Sequence, residues 1–321
     1  MICKSKELTG LKDLACPKDL ACLKGLTYLK DIACDAALAA GEIIKKAKGK
    51  INVNTDIETK DSGSTIASQV VTKVDLEAQN AILSILKPTL KQWNIALLSE
   101  ELDDDGSRFQ KDYFWAIDPL DGTLPFIEEN DGYAVSIALI SKTGVPHLGV
   151  VFDPVTNTLY DAIKDNGAFS NGKRIYIPDI QNTYIQNNSQ FHLIVDRSLK
   201  LLLESSSLRE KLTYRLSKRG LFLTEDLSLS GAVLNACKVM ENPQSCYFKP
   251  PKKEDGGGCL WDFGATACIF TEAGGIVTDC AGQPLDLNSS QSLYLNRRGV
   301  LFATTPELSE LCIDSLRAYS I

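Results

Sequence analysis

Two aspartates stand three positions apart in the segment Asp118-Pro-Leu-Asp-Gly-Thr123, which follows the apolar run of residues 114–117. A hard divalent cation such as Mg²⁺ requires oxygen ligands. Asp118, Asp121 and the backbone carbonyl of Leu120 can all face one point if a strand ends there and the chain turns. The residue types and their spacing therefore indicate a cation site at the end of a strand.

The second half of this segment suits an anion. The backbone N–H groups of Gly122 and Thr123, at the start of a following helix, would face a phosphate. Two other interpretations stay open at this point. Asp-Pro and Asp-Gly pairs are common turn formers that need no ligand. A phosphatase that forms an aspartyl-phosphate also has its nucleophile before Gly-Thr, but one residue separates its aspartates, whereas two separate them here.

Further acids occur where other elements are predicted to end or begin. Glu100 follows the short apolar run 95–98, and Asp262 opens a predicted helix over residues 261–270. Each has a plain explanation, since Glu100 could be a solvated acid and Asp262 could cap its helix. Together with the two central aspartates they favour a shared cation, because a chain of net charge −7 has no other reason to gather acids around one cleft.

An amphipathic segment upstream supplies one more acid. It begins at Thr72, contains Asp75 and is predicted to stop before Pro88, because proline interrupts a helix. Thr72 and Asp75 have the spacing of a capping box, which by itself would explain both residues without a catalytic role.

With these residues in view, the chain resembles the lithium-sensitive, magnesium-dependent superfamily of inositol monophosphatases and 3′(2′),5′-bisphosphate nucleotidases. The motifs of that superfamily are a strand-end acidic pair, Asp-Pro-(Ile/Leu/Val)-Asp-Gly-Thr and a late Trp-Asp, and all three stand here in that order. Residues 133–139, 148–154 and 167–172 supply supporting matches, and the resemblance extends from about Leu29 to the C-terminus.

The resemblance implies five metal ligands, namely Glu100, Asp118, the Leu120 carbonyl, Asp121 and Asp262. They would hold two or three Mg²⁺ ions, of which one lowers the pKa of a water and a second stabilises the leaving oxygen. In the family a threonine and its aspartate partner orient this water, and the matching residues are Thr123 and Asp75. The implied catalytic group is Asp75, Glu100, Asp118, Asp121 and Thr123. The implied phosphate contacts include Gly122, Thr123 and Asp262.

The composition is that of an ordinary globular enzyme. The chain has 321 residues, of which 44% are hydrophobic and 23% are charged, and this is enough for two packed halves. Its net charge of −7 argues against duplex nucleic acid as a partner, since that binding needs clustered Lys and Arg. A small nucleotide is not excluded. The two histidines, His147 and His192, have no metal-ligand spacing, so histidine and zinc chemistry are not expected.

Cysteine usage and hydropathy point to the cytosol. The ten cysteines form no C-x-x-C pair, and the N-terminus lacks the apolar core of a signal peptide. No apolar run approaches the roughly 18 residues of a membrane span. We therefore expect reduced thiols, no membrane partner and a cytoplasmic location.

The order of predicted elements indicates an α+β fold. An apolar stripe over residues 29–47 predicts a first helix, and the polar stretch 48–68 predicts a lid. Strands are predicted over residues 134–140, 148–152, 158–163 and 168–177, the last turning at Asn171-Gly172. They form a mainly antiparallel meander. After residue 178, strands at 192–195, 276–278 and 300–304 alternate with helices at 199–212, at 231–240 and from Pro306 onward.

Three regions follow from these patterns. We expect a helical extension at residues 1–28, a first domain with the metal site and lid at 29–185, and a second domain at 186–321 that supplies Asp262 and substrate contacts. The resemblance implies a layered α/β/α/β/α sandwich of the inositol monophosphatase and fructose-1,6-bisphosphatase type, with the active site between the halves. Homodimers are common in the family.

Three functions are consistent with the sequence of this small-molecule site. Ser99-Glu100-Glu101 looks closer to the nucleotidases, which release phosphate from 3′-phosphoadenosine 5′-phosphate and leave AMP, and this is the function we favour. The turn at Asn171-Gly172-Lys173 is shared more with inositol and sugar-phosphate phosphatases. A non-catalytic relative that binds metal or phosphate is the third. In the run 249–258, Lys252 and Lys253 would grip a second phosphate, unless the run is a solvated loop.

Overall fold

The computed structural model describes residues 23–50, 57–59, 70–177 and 189–317. In chain order, its helices are α1 (Leu23–Ala47), α2 (Lys73–Gln92), α3 (Thr123–Ile127), α4 (Arg197–Ser205), α5 (Leu208–Ser217), α6 (Ala232–Val239), α7 (Leu260–Glu272) and α8 (Pro306–Arg317). Its strands are β1 (Ile57–Thr59), β2 (Val70–Thr72), β3 (Ala96–Ser99), β4 (Tyr113–Asp121), β5 (Ala134–Ser141), β6 (Pro146–Asp153), β7 (Thr158–Ile163), β8 (Gly167–Ser170), β9 (Lys173–Ile175), β10 (Ser189–Val195), β11 (Leu221–Leu227), β12 (Ser245–Lys249), β13 (Ile276–Thr278) and β14 (Val300–Ala303).

The first large sheet has seven strands in the sequential order β3 to β9. Only β3 and β4 run parallel, and every later pair is antiparallel, which confirms the predicted meander. Asn171 and Gly172 join β8 to β9 with φ values of 48° and 74°, as a two-residue hairpin turn requires.

The second sheet has the order β11-β10-β12-β14-β13. Strand β10 is parallel to both of its neighbours, whereas β14 is antiparallel to β12 and β13. Strands β11 and β12 were not among the predicted elements. They follow α5 and α6 by short connections, as in a layered α/β arrangement.

Three apolar clusters hold five layers together. The helices α1 and α2 cover one face of the first sheet through residues such as Ala33, Ile82 and Trp115. The helices α6 and α7 fill the space between the two sheets, where Phe263 is fully buried. Helices α4, α5 and α8 cover the far side of the second sheet, with Leu212 at the centre. This confirms the α/β/α/β/α sandwich expected from the sequence.

Helix α2 differs from its prediction at its C-terminal end. We expected it to stop before Pro88, but the helix continues to Gln92 with Pro88 inside it. Pro88 has no N–H to offer the carbonyl of Ser84, four residues earlier. Both residues are exposed, so water can bond that carbonyl and the helix continues.

The prediction of a single helix over residues 199–212 was also wrong, because the chain forms the two helices α4 and α5 there. Between them Ser206 is extended, with φ −138° and ψ 169°. Its hydroxyl donates to the Leu202 carbonyl at 2.7 Å and accepts from the Leu208 N–H at 3.3 Å. Serine side chains compete with backbone hydrogen bonds in this way, and three consecutive serines stand at this break.

Several expectations concern residues outside the described ranges. Most of the proposed extension at 1–28 lies there, although its last part forms the start of α1. Most of the predicted lid and the proposed domain boundary near residue 185 lie there as well. Within the described ranges, none of the helices combines the length and the apolar character needed to cross a membrane.

Candidate active site

Three carboxylates meet where β4 ends and α7 begins. One oxygen from each of Asp118, Asp121 and Asp262 lies within 4.8 Å of the others. Asp118 is 2% exposed and Asp121 is 8% exposed, and Asp262 is half-buried. Three acids so close in a buried place require either protons or a cation to offset their mutual repulsion.

Asp118 is fixed by the irregular end of β4. The pairing of β4 with β5 shifts register between Asp118 and Asp121, so the chain turns and both side chains face the same point. The Leu120 N–H donates to Asp118 Oδ1 at 2.9 Å. Strand β5 also positions α7, because the Ser136 hydroxyl donates to the Trp261 carbonyl at 2.9 Å, one residue before Asp262.

Asp121 is held by the second half of the molecule. Its Oδ1 accepts from the Ala232 N–H at 3.1 Å and its Oδ2 from the Val233 N–H at 2.8 Å, both in the first turn of α6. A β-carbon on Gly231 would stand 2.2 Å from Asp121 Oδ2, so only glycine fits there. The sequence analysis did not predict this contact. The one feature of the sequence that could have indicated it was the glycine at the start of the predicted helix over residues 231–240.

Asp75 and Thr123 are hydrogen-bonded, with the threonine hydroxyl 3.1 Å from Asp75 Oδ1 and 3.2 Å from the Leu120 carbonyl. The other oxygen of Asp75 accepts from the Thr72 N–H at 2.8 Å and from its hydroxyl at 2.5 Å. Asp75 therefore completes a capping box and contacts Thr123 at the same time. Burial, together with the charge of Glu100, raises the pKa of Asp75 to about 7.

Glu100 lies just beyond β3, beside the three carboxylates. Its N–H donates to the Ile117 carbonyl at 3.0 Å, and the preceding Ser99 hydroxyl donates to Gln79 Oε1 at 2.5 Å. Burial comes first and the charge of Glu100 second in raising the pKa of Asp118 and of Asp262 above the usual range.

The electrostatics of the cluster favour a bound cation. Burial and then the charge of Asp262 raise the pKa of Asp121, and burial, Glu100 and then Asp262 raise the pKa of Asp118. A cation at this point would offset the repulsion that these shifts reflect. The site offers carboxylate and carbonyl oxygens, which are the ligands of a hard cation, so the residues fit Mg²⁺.

The cluster forms one end of a cavity of about 800 Å³ between the two halves. Lys249, at the end of β12, lines it and lies 3.0 Å from Asp196 Oδ2. Burial alone would raise the pKa of Asp196, but Lys249 and hydrogen bonds from the N–H of Leu199 and the hydroxyl of Ser198 hold it at about 2. Asp196 in turn raises the pKa of Lys249 against the effect of its burial. Both groups are therefore charged.

Most residues singled out from sequence line this cavity, namely Glu100, Asp118, Leu120, Asp121, Gly122, Thr123, Lys252 and Asp262. Asp75 lies behind Thr123. Lys253 is exposed and is not part of the cavity wall, whereas Lys249, which sequence reasoning had not selected, is. His147 packs edge-on against Tyr113 and His192 pairs with Asp226, so neither contributes to the cavity.

The fold is shared with solved structures of one group of phosphatases. An inositol monophosphatase of Thermotoga maritima superposes with a TM-score of 0.65 at 22% identity, covering 90% of this chain and 98% of that one. CysQ from Bacteroides thetaiotaomicron, described as a bacterial member of the inositol monophosphatase family, gives 0.62 at 25% identity over 87% and 98% of the two chains.

Sequence comparison leads to the same group. The chain is 30% identical to inositol monophosphatase 1 of Solanum lycopersicum over 294 residues, or 89% of this chain and 93% of the relative. It is also 30% identical to the Nus factor SuhB of Vibrio cholerae over 276 residues, or 84% and 92% of the two. The named relatives are inositol monophosphatases and SuhB proteins, and members of the inositol monophosphatase family are phosphoric monoester hydrolases. The model of the inositol monophosphatase family matches residues 26–320, so the chain belongs to this family.

Replacing one buried carboxylate should stabilise the protein in chelator. A raised folded-state pKa means that stability falls as pH rises from the ordinary aspartate value toward the raised one. At neutral pH each pKa unit then costs about 1.4 kcal/mol. Asp118→Asn keeps the acceptor for the Leu120 N–H and removes one charge beside Asp121 and Asp262. We expect a rise in Tm of roughly 2–4 °C in chelator, measured by calorimetry.

The same variant should lose most of the Tm increase that Mg²⁺ gives the wild type, because a ligand stabilises only what it binds. Asp103→Asn makes the same charge change on an exposed side chain and should leave both responses unchanged. A lower Tm of Asp118→Asn in chelator, or an unaltered Mg²⁺ response, would contradict a cation site at Asp118.

Proposed function

We propose that the chain hydrolyses a small phosphate monoester by Mg²⁺-dependent attack of water. The observation that carries this proposal is the group of three carboxylates, two buried and one half-buried, within 4.8 Å at the end of an open cavity. Glu100, Asp118, the Leu120 carbonyl, Asp121 and Asp262 are the proposed ligands. Bound there, Mg²⁺ would supply Lewis acidity, which lowers the pKa of water and stabilises the leaving oxygen.

The proposed protein contribution is to position the water and accept its proton. Thr123 Oγ1 lies at the cavity wall and Asp75 Oδ1 lies behind it, 3.1 Å away. As the threonine hydroxyl donates to Asp75, its oxygen is left as an acceptor for a water proton. Asp75 is the proposed destination of that proton, because Thr123 can pass its own proton to Asp75 Oδ1 as its oxygen takes one from the water. Gly122 and the N–H of Thr123 are the proposed phosphate contacts.

Phosphate release from a panel of esters tests the proposal. With Mg²⁺, we expect turnover of at least one among 3′-phosphoadenosine 5′-phosphate, inositol 1-phosphate and fructose 1,6-bisphosphate. Excess chelator should abolish it, and Asp118→Asn should remove most of it, because the ligand set loses a charge. Wild-type turnover that persists in chelator would overturn the metal-dependent mechanism.

A double-mutant cycle tests the water-positioning pair. Thr123→Ala and Asp75→Asn should each lower kcat by roughly 10²–10⁴-fold, with little change in the Mg²⁺ concentration needed for half-maximal activity. The double variant should be hardly slower than either single variant, because groups that act as a unit are non-additive. Losses that multiply would show that the two residues act separately.

We propose further that the substrate is a 3′(2′),5′-nucleoside bisphosphate. Support comes from the two lysines of the cavity wall. Lys249 is paired with Asp196, and Lys252 adds a second ammonium whose pKa is lowered by burial and then by the remaining repulsion from Lys249. A second phosphate on the substrate would relieve the repulsion between these cations. A monophosphate, whose one anion lies at the carboxylate cluster, would not.

The neighbouring lysines 252 and 253 form a matched pair for testing this substrate. Lys252→Met should raise the KM for 3′-phosphoadenosine 5′-phosphate about tenfold, the size of one charged hydrogen bond, and leave inositol 1-phosphate unchanged. Lys253→Met, which removes the same charge outside the cavity, should have a small effect. Equal effects of the two variants, or equal effects on the two substrates, would contradict a second phosphate site.

Inositol 1-phosphate is the second candidate substrate. The relative from Solanum lycopersicum is named inositol monophosphatase 1 and is 30% identical over most of both chains. The same metal and water chemistry would serve this substrate, so the panel of esters decides between the two. A cytoplasmic location fits the seven described cysteines, none of which forms a disulfide bond with another, and a homodimer stays a prediction.

A further inference from the structure

Helix α4 presents two different apolar faces. Leu199 and Leu203 are buried in the core beneath the second sheet, with 1% and 2% exposure. Leu201 lies on the opposite side and lines the active-site cavity, and Leu202, which also packs against that core, reaches the same cavity. An ordinary surface helix has one apolar stripe, so the second face of α4 needs a separate explanation.

Leucines from two elements meet this cavity without being covered. Leu201 is 66% exposed, and Leu229, in the connection between β11 and α6, is 50% exposed. Leu124 and Pro125 continue the apolar wall and follow Thr123 directly in the chain. The apolar surface therefore begins beside the proposed phosphate position and extends outward from it.

The polar side chains of α4 that line the same cavity are already paired. Both terminal nitrogens of Arg197 donate to the Glu128 carboxylate, one of them at 2.9 Å. The Ser198 hydroxyl donates to Asp196 Oδ1 at 2.7 Å. A polyol such as inositol needs a partner for each hydroxyl that leaves water, and this wall offers few.

We infer that Leu201, with Leu202 and Leu229, forms a subsite for the base of a nucleoside bisphosphate. This subsite rests on the proposed function, because the phosphate to be cleaved must lie at the carboxylates. A purine ring presents a flat apolar face with polar atoms at its edge. It can cover the leucines and keep its edge in water, which a polyol cannot do.

A matched pair of substrates tests the subsite. One is 3′-phosphoadenosine 5′-phosphate, and the other is the same sugar bisphosphate with hydrogen in place of adenine. In the wild type, kcat/KM should be at least tenfold higher for the nucleotide. Leu201→Ser should lower that value five- to tenfold, in line with partial burial of one leucine, and leave the abasic compound unchanged.

Leu227→Ser is the control, because Leu227 is 64% exposed on β11 and does not line the cavity. Equal wild-type values for the two substrates, or equal effects of the two serine variants, would overturn the subsite. Unchanged Tm values in both variants would establish that the fold is intact.

Calorimetric binding of AMP separates this inference from the proposed activity. With Mg²⁺ present, the Kd for AMP should be five- to tenfold weaker in Leu201→Ser than in the wild type or Leu227→Ser. If no ester released phosphate, the proposed hydrolysis would be contradicted. The AMP binding measurement would still test whether the leucines bind the base. AMP affinity that is the same in all three proteins would overturn it.

Discussion

The repulsion among three closely spaced aspartates, two buried and one half-buried, is the constraint on which the site depends. Asp118, Asp121 and Asp262 bring oxygens within 4.8 Å of one another, and burial raises the pKa of each. Such a group is unfavourable as three bare anions, and a divalent cation turns the same repulsion into binding energy. A cation bound at this point would therefore draw its affinity from the same repulsion that costs folding stability.

This constraint also explains why the two halves of the molecule cannot be considered separately. Asp118 and Asp121 end a strand of the first sheet, but Asp121 is oriented by two N–H groups of α6, and Asp262 starts α7. Both helices lie between the sheets, where α7 packs on β5 and β6. A shift of α6 relative to the first sheet would release both oxygens of Asp121. The packing of the middle layer thus fixes the geometry of the carboxylates.

The sequence predicted the parts of this arrangement that are carried by side-chain type within a short segment. The alternating strands from β5 to β9, the stripe of α1 and the turn at Asn171 were all visible because their periodicity is local. Contacts made by backbone atoms are not visible in side-chain types. The hydrogen bonds from α6 to Asp121 were missed for that reason. Lys249 was passed over because a basic run next to glycines gives no sign of which lysine points inward. The continuation of α2 through Pro88 depended on solvent exposure, and the helix break at Ser206 depended on side-chain hydrogen bonds. Composition shows neither.

The charges of the cavity explain how an acidic protein can accept an anionic substrate. The chain carries a net charge of −7, and its carboxylates would repel a phosphate unless a cation lay between them. Lys249 adds little positive field by itself, since Asp196 lies 3.0 Å away. A cation held by the carboxylates would therefore have to supply most of the attraction. Because an ammonium at the surface is screened by salt more strongly than a buried ion, a cation at the carboxylates would attract a phosphate more strongly than a lysine of the outer wall could.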